Sequence, residues 1–145
     1  MSDAPQNYGN HAKMVPAYHY VGFAMILVLL VWNSVRLFRD PSVDTVMSMV
    51  LLFVVTIGYL FGRIFALSAQ DRVIRLEERL RMERLFEGDL KDRIMDFTTD
   101  QLIGLRFASD DELPGLAQRV LDEGIKDRKT IKQAVKEWRP DHQRV

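Results

Sequence analysis

Residues 14–35, MVPAYHYVGFAMILVLLVWNSV, and residues 45–62, TVMSMVLLFVVTIGYLFG, contain no Asp, Glu, Lys or Arg. Only the connector RLFRDPSVD, residues 36–44, separates them. A helix rises ~1.5 Å per residue and the hydrocarbon core of a bilayer is ~30 Å thick, so roughly 20 mostly apolar residues make one crossing. Both stretches approach that length, and so short a connector makes them antiparallel neighbours. The fold class that follows is an all-α membrane protein built on a two-span transmembrane helical hairpin. Whole-chain averages conceal it: 28% of the 145 residues are charged, with 20 Lys+Arg against 20 Asp+Glu, and mean hydropathy is −0.09. An apolar front half is being averaged with a strongly charged back half.

The first helix is expected to start after Pro16 and end near Leu37, with Tyr18, Tyr20 and Trp32 near its ends, where amphipathic rings favour the interface. Asn33 and Ser34 mark the approach to the headgroups. A secretory signal peptide is the rival reading, since Lys13 precedes the apolar run. No small-residue cleavage site follows, however, and a second span begins almost at once. In the connector, Asp40 is placed to cap the second helix with Pro41 at its first position, where the missing N–H is harmless. Arg36 and Arg39 in the connector are outnumbered by Lys13 together with Arg72, Arg75, Arg79, Arg81 and Arg84 beyond the outer ends of the two spans. The positive-inside rule therefore puts both termini in the cytoplasm. Arg63 interrupts the second apolar run, and snorkelling at the cytoplasmic face explains it better than a charge inside a conduction path.

The second helix is not expected to stop at the membrane. Residues 68–87 contain no Pro or Gly, helix formers dominate, and Glu77 to Arg81 has the favourable i,i+4 order. From Pro41 to Glu87 this makes one helix of ~70 Å at ~1.5 Å per residue, ended by Gly88. Gly58, Gly62 and Ala66 form a small-xxx-small ladder that permits close backbone approach in a bilayer. The same face passes on through Ala69, Val73, Leu76 and Leu80 with coiled-coil spacing and breaks at Glu83. Fewer than three clean heptads do not make a self-standing coiled coil. The ladder has the first span as an intrachain partner; the cytoplasmic part of the seam has none in view.

Beyond Asp89 the chain reads as a linker and three short helices. Thr98 or Thr99 caps the first, which carries Leu102, Ile103, Leu105 and Phe107. Ser109 and Glu112 have capping-box spacing before a helix with Leu113, Leu116, Ala117, Val120 and Leu121. Asp127 opens the last, with Ile131, Ala134, Val135 and Trp138 on one face, and Pro140 ends it. So small a domain buries little apolar surface. Trp138 is then either a docking anchor or a member of the domain's own core. The resulting organisation is an N-terminal tail, 1–15; the hairpin, 16–69, with spans at about 17–37 and 43–67; a cytoplasmic stalk, 70–88; and a C-terminal helical domain, 89–145.

Chemistry is thinly represented. The final helix region carries Lys126, Arg128, Lys129, Lys132, Lys136 and Arg139, but the preceding helix carries Asp110, Asp111, Glu112, Asp122 and Glu123. The two charge sets neutralise one another or meet anionic headgroups, and nucleic acid is not an expected partner. His11, His19 and His142 lack the spacing and the carboxylates of a metal site, and no Gly-rich phosphate loop, HExxH or nucleophile elbow occurs. The expectation is no enzyme, no metal, no cofactor and no small-molecule substrate. Zero cysteines means that no disulfide supports the fold.

Several strings resemble a family of small bacterial two-span membrane proteins of unknown function. They are Gln6-Asn7-Tyr8-Gly9-Asn10-His11 with Pro16 and His19; residues 70–76; Leu105-Arg106-Phe107-Ala108-Ser109-Asp110-Asp111-Glu112-Leu113-Pro114; and residues 131–145 with Trp138, Asp141-His142 and Arg144-Val145. The resemblance spans nearly the whole chain. It implies bacterial origin and two-span topology, and it brings no activity or ligand with it.

Three functions fit these features. The first is a non-catalytic protein of the bacterial inner membrane acting by association, as an accessory or scaffold subunit or as a homo-oligomer, through Gly58, Gly62, Ala66, Val73, Leu76, Leu80 and Trp138. The second is a membrane tether whose C-terminal helices recruit a soluble partner. The third is a haem- or quinone-binding subunit using His19 at the edge of the bilayer.

Overall fold

Two long apolar helices and a set of short ones make up the computed structural model, which describes residues 6–10 and 14–141. Pro16 opens a wide π-type turn, Ala17–Gly22, that runs directly into α1, Phe23–Arg39. After a three-residue break α2 extends from Val43 to Leu85. Then come α3, Gly88–Asp92; a 3₁₀ turn, Ile94–Asp96; α4, Thr99–Leu105; α5, Leu113–Asp122; and α6, Arg128–Ala134. Ala108 and Trp138 form an isolated antiparallel bridge, and no strand occurs among the described residues. Residues 17–39 and 43–85 both contain stretches long and apolar enough to cross a membrane.

The described residues fall into two compact units, 14–66 and 67–141 together with 6–10, and α2 runs through both. In the first unit most large apolar side chains face outward, and Ile26 and Leu52 are its buried apolar residues. That distribution inverts the soluble pattern and suits lipid as the surrounding medium. Polar side chains on these helices are satisfied locally: Asn33 Nδ2 donates to the Leu29 carbonyl at 2.9 Å, Ser34 Oγ to Leu30 at 2.7 Å and Thr56 Oγ1 to Leu52 at 2.7 Å. Ser42, not Asp40, starts α2. The Thr45 N–H donates to Ser42 Oγ at 3.3 Å, and the Ser42 N–H donates to Thr45 Oγ1 at 2.9 Å. Pro41 consequently lies ahead of the helix.

The second unit has a core of its own. Met82 from the end of α2 and Phe86 just after it join Ile94, Phe97, Leu102, Leu105, Phe107, Leu113, Leu116, Ala117, Val120 and Ile131 in one buried cluster. Gly88, at φ +55°, turns the chain after α2, which only glycine does without steric cost. The segment read as a linker then forms α3 and the 3₁₀ turn, because Ile94 and Phe97 are needed in that core. Thr98 is the cap of α4: its side chain accepts from the Gln101 N–H while Gln101 reaches back to the Thr98 N–H, a complete capping box. Asp127 caps α6 through the Thr130 N–H at 2.8 Å. α6 is shorter than its apolar spacing suggests. It stops at Ala134, and Val135 is already extended, so Trp138 reaches the core from non-helical chain.

Candidate functional site

The residues singled out for interaction divide by environment. Gly58 and Gly62 are exposed, and a Cβ added to either would meet nothing within 4 Å. The expectation that this ladder packs on the first helix is therefore corrected. Ala66 is half-buried. The close approach within the first unit is made by Gly22, where an added Cβ would lie 3.0 Å from the Tyr59 ring. Tyr18 and Tyr59 stack at 4.2 Å and 9°. Tyr18 Oη donates to the Tyr59 carbonyl at 2.6 Å, and Tyr59 Oη donates to the Tyr18 carbonyl. Sequence reasoning placed Tyr18 only at an interface and passed over Gly22, although Gly22 is the one glycine in residues 14–35.

In the second unit, Val73, Leu76 and Leu80 are 53%, 62% and 57% exposed, and Ala69 is exposed with them. The other side of the same helix segment is covered by the chain itself: Ile74, Glu78, Arg81 and Met82 are buried. Helical periodicity explains the division, since positions 74, 78, 81 and 85 share one face and 69, 73, 76 and 80 another. The stripe is thus an apolar surface on an otherwise charged helix segment.

Beneath the covered face lies a network of charges. Arg81 contacts Glu78 Oε2 through Nη1 at 3.1 Å, Asp110 Oδ1 through Nη2 at 2.6 Å, and the Ala108 carbonyl through Nη2 at 2.8 Å. Arg139 reaches Glu78 Oε1 at 3.6 Å, and Arg106 reaches Asp141 Oδ2 at 3.5 Å. Three guanidinium groups thus face three carboxylates, which makes the network electrically balanced. Burial pushes the Glu78 carboxyl above the ordinary carboxylate range, against the pull of Arg81 and Arg139. The Arg106 guanidinium lies 4.5 Å from the Phe107 ring centroid and Lys132 Nζ 5.1 Å. Such a balanced set, buried at Glu78, Arg81 and Arg106 and open at Asp110 and Arg139, holds elements together; it presents no nucleophile paired with a base.

The other candidates have ordinary roles in this geometry. His19 Nδ1 accepts the Val15 N–H at 3.1 Å and stands 3.0 Å from the Val15 carbonyl, so that nitrogen serves the opening turn. His11 and His142 lie outside the described residues. No cluster of three or more His, Cys, Asp or Glu side chains with the arrangement of a metal site occurs among the described residues. Trp138 is half-buried and its ring packs 4.8 Å from Phe107 at 36°. Among the basic residues near α6, Lys132 is buried, Arg128 lies 3.8 Å from Asp100, and Arg139 is on Glu78.

Comparison with known proteins gives one finding. The model of a family of unknown function (DUF6526) matches residues 1–145, and the chain belongs to that family. No curated protein and no solved structure matches it.

Proposed function

We propose, for this member of a family of unknown function, a non-catalytic two-span protein of the bacterial cytoplasmic membrane, both termini inside, that acts by association through α2. The observation that carries the topology is the pairing of Gln6 with Asp141. Gln6 Oε1 accepts the Asp141 N–H at 2.7 Å, and Gln6 Nε2 donates to the Asp141 carbonyl at 3.3 Å. Residues from the two ends of the chain thus meet in one unit, while both apolar helices lie between them in sequence. A chain whose ends meet in water must cross a bilayer an even number of times, and two apolar helices supply two crossings. The Lys and Arg balance then selects the cytoplasm.

The tyrosine pair supports a hairpin in this setting. With Tyr18 level with Tyr59 in an antiparallel pair, Arg63 lies one turn, ~6 Å, farther along, level with residues that precede the first span. Its guanidinium then belongs among the headgroups. Association is supported by the exposed stripe of Val73, Leu76 and Leu80 on a segment that emerges from the bilayer into water. A protein of this kind serves as an accessory or scaffold subunit or as a homo-oligomer.

Because the chain has no cysteine, single-cysteine variants report sidedness without a background. In intact cells, Ser42→Cys should react with a membrane-impermeant maleimide, whereas Asp89→Cys and Lys126→Cys should react only after the membrane is opened. Labelling of Asp89→Cys from outside would sink the topology. Gentle extraction through a C-terminal tag should then recover a multi-chain assembly; a lone monomer in native-membrane particles would sink association.

A further inference from the structure

We infer that the partner on the stripe of Ala69, Val73, Leu76 and Leu80 is a second copy of this chain, its α2 lying parallel to the first. The inference rests on the membrane reading above. Spacings of four, three and four make these residues consecutive core positions of a heptad pattern, Ala69 and Leu76 at d, Val73 and Leu80 at a. A β-branched residue at a followed by Leu at d favours two parallel strands. The face opposite is closed by the chain's own core, through Ile74, Glu78, Arg81 and Met82. Among the described residues nothing of the chain buries the stripe, and the partner inferred for it comes from outside.

Charge and geometry select an identical partner. In a parallel pair, the g position of one heptad faces the e position of the next heptad on the other helix. Here g is Arg72 and e is Glu77, both exposed. This pairing occurs twice by symmetry, whereas the next g and e positions, Arg79 and Arg84, are both basic and lie beside Glu83, where the seam ends. Two copies inserted with the same topology also emerge from the same side of the bilayer pointing the same way, so parallel orientation is imposed before any contact is made. The seam extends over only two heptads before Glu83 occupies the next core position, too short to hold helices together in water. Anchoring in a shared membrane removes that objection, since it confines both helices to one thin layer and raises their effective concentration. Gly58 and Gly62, open on the apolar part of α2, permit close backbone approach there but are not required by the argument.

The test uses the full-length protein in native membranes. Leu76→Cys and Leu80→Cys should each form a disulfide-linked dimer of twice the chain mass on brief oxidation, because identical core residues of a parallel pair face each other. Arg75→Cys, exposed but one position off the seam, should yield several-fold less. Arg72→Glu should lower cross-linking at Leu76→Cys, and adding Glu77→Arg should restore it, a rescue that a foreign partner would not give. Equal yields at all three positions, no dimer in carbonate-washed membranes that retain the protein, or an adduct of another mass would each overturn the inference. Protein released from the membrane by carbonate would overturn the membrane reading itself, and this inference with it.

Discussion

Glu78 is where burial and charge compete most directly at the scale of single residues. Its side chain is 7% exposed and its carboxylate faces Arg81 and Arg139, with Arg106 nearby and Asp110 and Asp141 on the same network. Desolvation prevails, and the folded-state pKa stands above the ordinary glutamate value. The folded protein therefore holds this proton more tightly than the unfolded chain does. Its stabilising contribution is complete below the ordinary glutamate range and is lost as pH rises through the raised folded value. Asp122 and Asp127 act with the opposite sign: hydrogen bonds from Gln118 and Thr130 lower their pKa values, so their contribution is present above the ordinary aspartate range and lost as pH falls through the lowered values. Thermal melts followed by Trp138 fluorescence in a Trp32→Phe background should show stability declining from mildly acidic toward neutral pH. Glu78→Gln should flatten that limb while leaving the acid limb in place. An unchanged neutral limb in Glu78→Gln would show that Glu78 does not set it. None of this was legible beforehand, because Glu78 in sequence is one of several acidic residues on a charged helix, and only the return of residues 108–110 and 139–141 encloses it.

At the level of elements, the long helices and the starts of α4 and α6 could be read from local chemistry, since an uncharged run, Thr98 before Gln101, and Asp127 before Thr130 act within one or two turns. Where sequence reasoning failed, a distant segment had claimed the group. Ser109 and Glu112 show this: the Glu112 N–H donates to Ser109 Oγ at 3.1 Å, yet the Glu112 carboxylate accepts the Lys136 and Glu137 N–H groups instead of closing a capping box. The Ser109 N–H in turn donates to the Glu137 carbonyl at 2.9 Å. Those bonds, with the Ala108–Trp138 bridge, hold residues 135–139 out of the helix and explain why α6 ends early although Ile131, Ala134, Val135 and Trp138 have helical spacing. The open side of this segment was legible as an apolar seam, but not that the helix's other side would be covered by the non-helical chain at residues 106–110 and 139–141. Close packing between α4 and α6 depends on Gly104, where an added Cβ would lie 2.8 Å from Ile131. Gly104→Ala should cost about 1–3 kcal/mol from overpacking. Gly115 on α5 has nothing within 4 Å of the same position, so Gly115→Ala should be neutral or stabilise by up to ~1 kcal/mol through helix propensity. Equal effects of the two substitutions in denaturant melts would contradict the packing between α4 and α6.

For the molecule as a whole, the informative contact joins the two ends of the chain. Gln6 presents a side-chain amide that mimics a backbone edge, pairing with both the N–H and the carbonyl of Asp141, and the Asp141 carboxylate in turn forms an ion pair with Arg106 at 3.5 Å. Arg139, two residues earlier, donates its backbone N–H to the Phe107 carbonyl at 2.7 Å and contacts Glu78 with its side chain. The C-terminal chain is thereby tied at once to the end of α2, to the turn after α4 and to the N-terminal segment. Sequence offered the strings around residues 6 and 141 as family identifiers but no reason to bring them together, because the pairing is made by one amide across nearly the full chain length. The double variant Gln6→Cys, Asp141→Cys should close an intramolecular disulfide under mild oxidation in native membranes, seen as a faster-migrating monomer on a non-reducing gel and reversed by reductant. Gln6→Cys alone should not shift. Closure requires both thiols in one compartment and within reach of each other, whereas a single crossing between them would place them on opposite sides of the bilayer. A double variant that stays open, with each thiol reacting with impermeant maleimide on a different side, would remove both the contact and the two-crossing topology built on it.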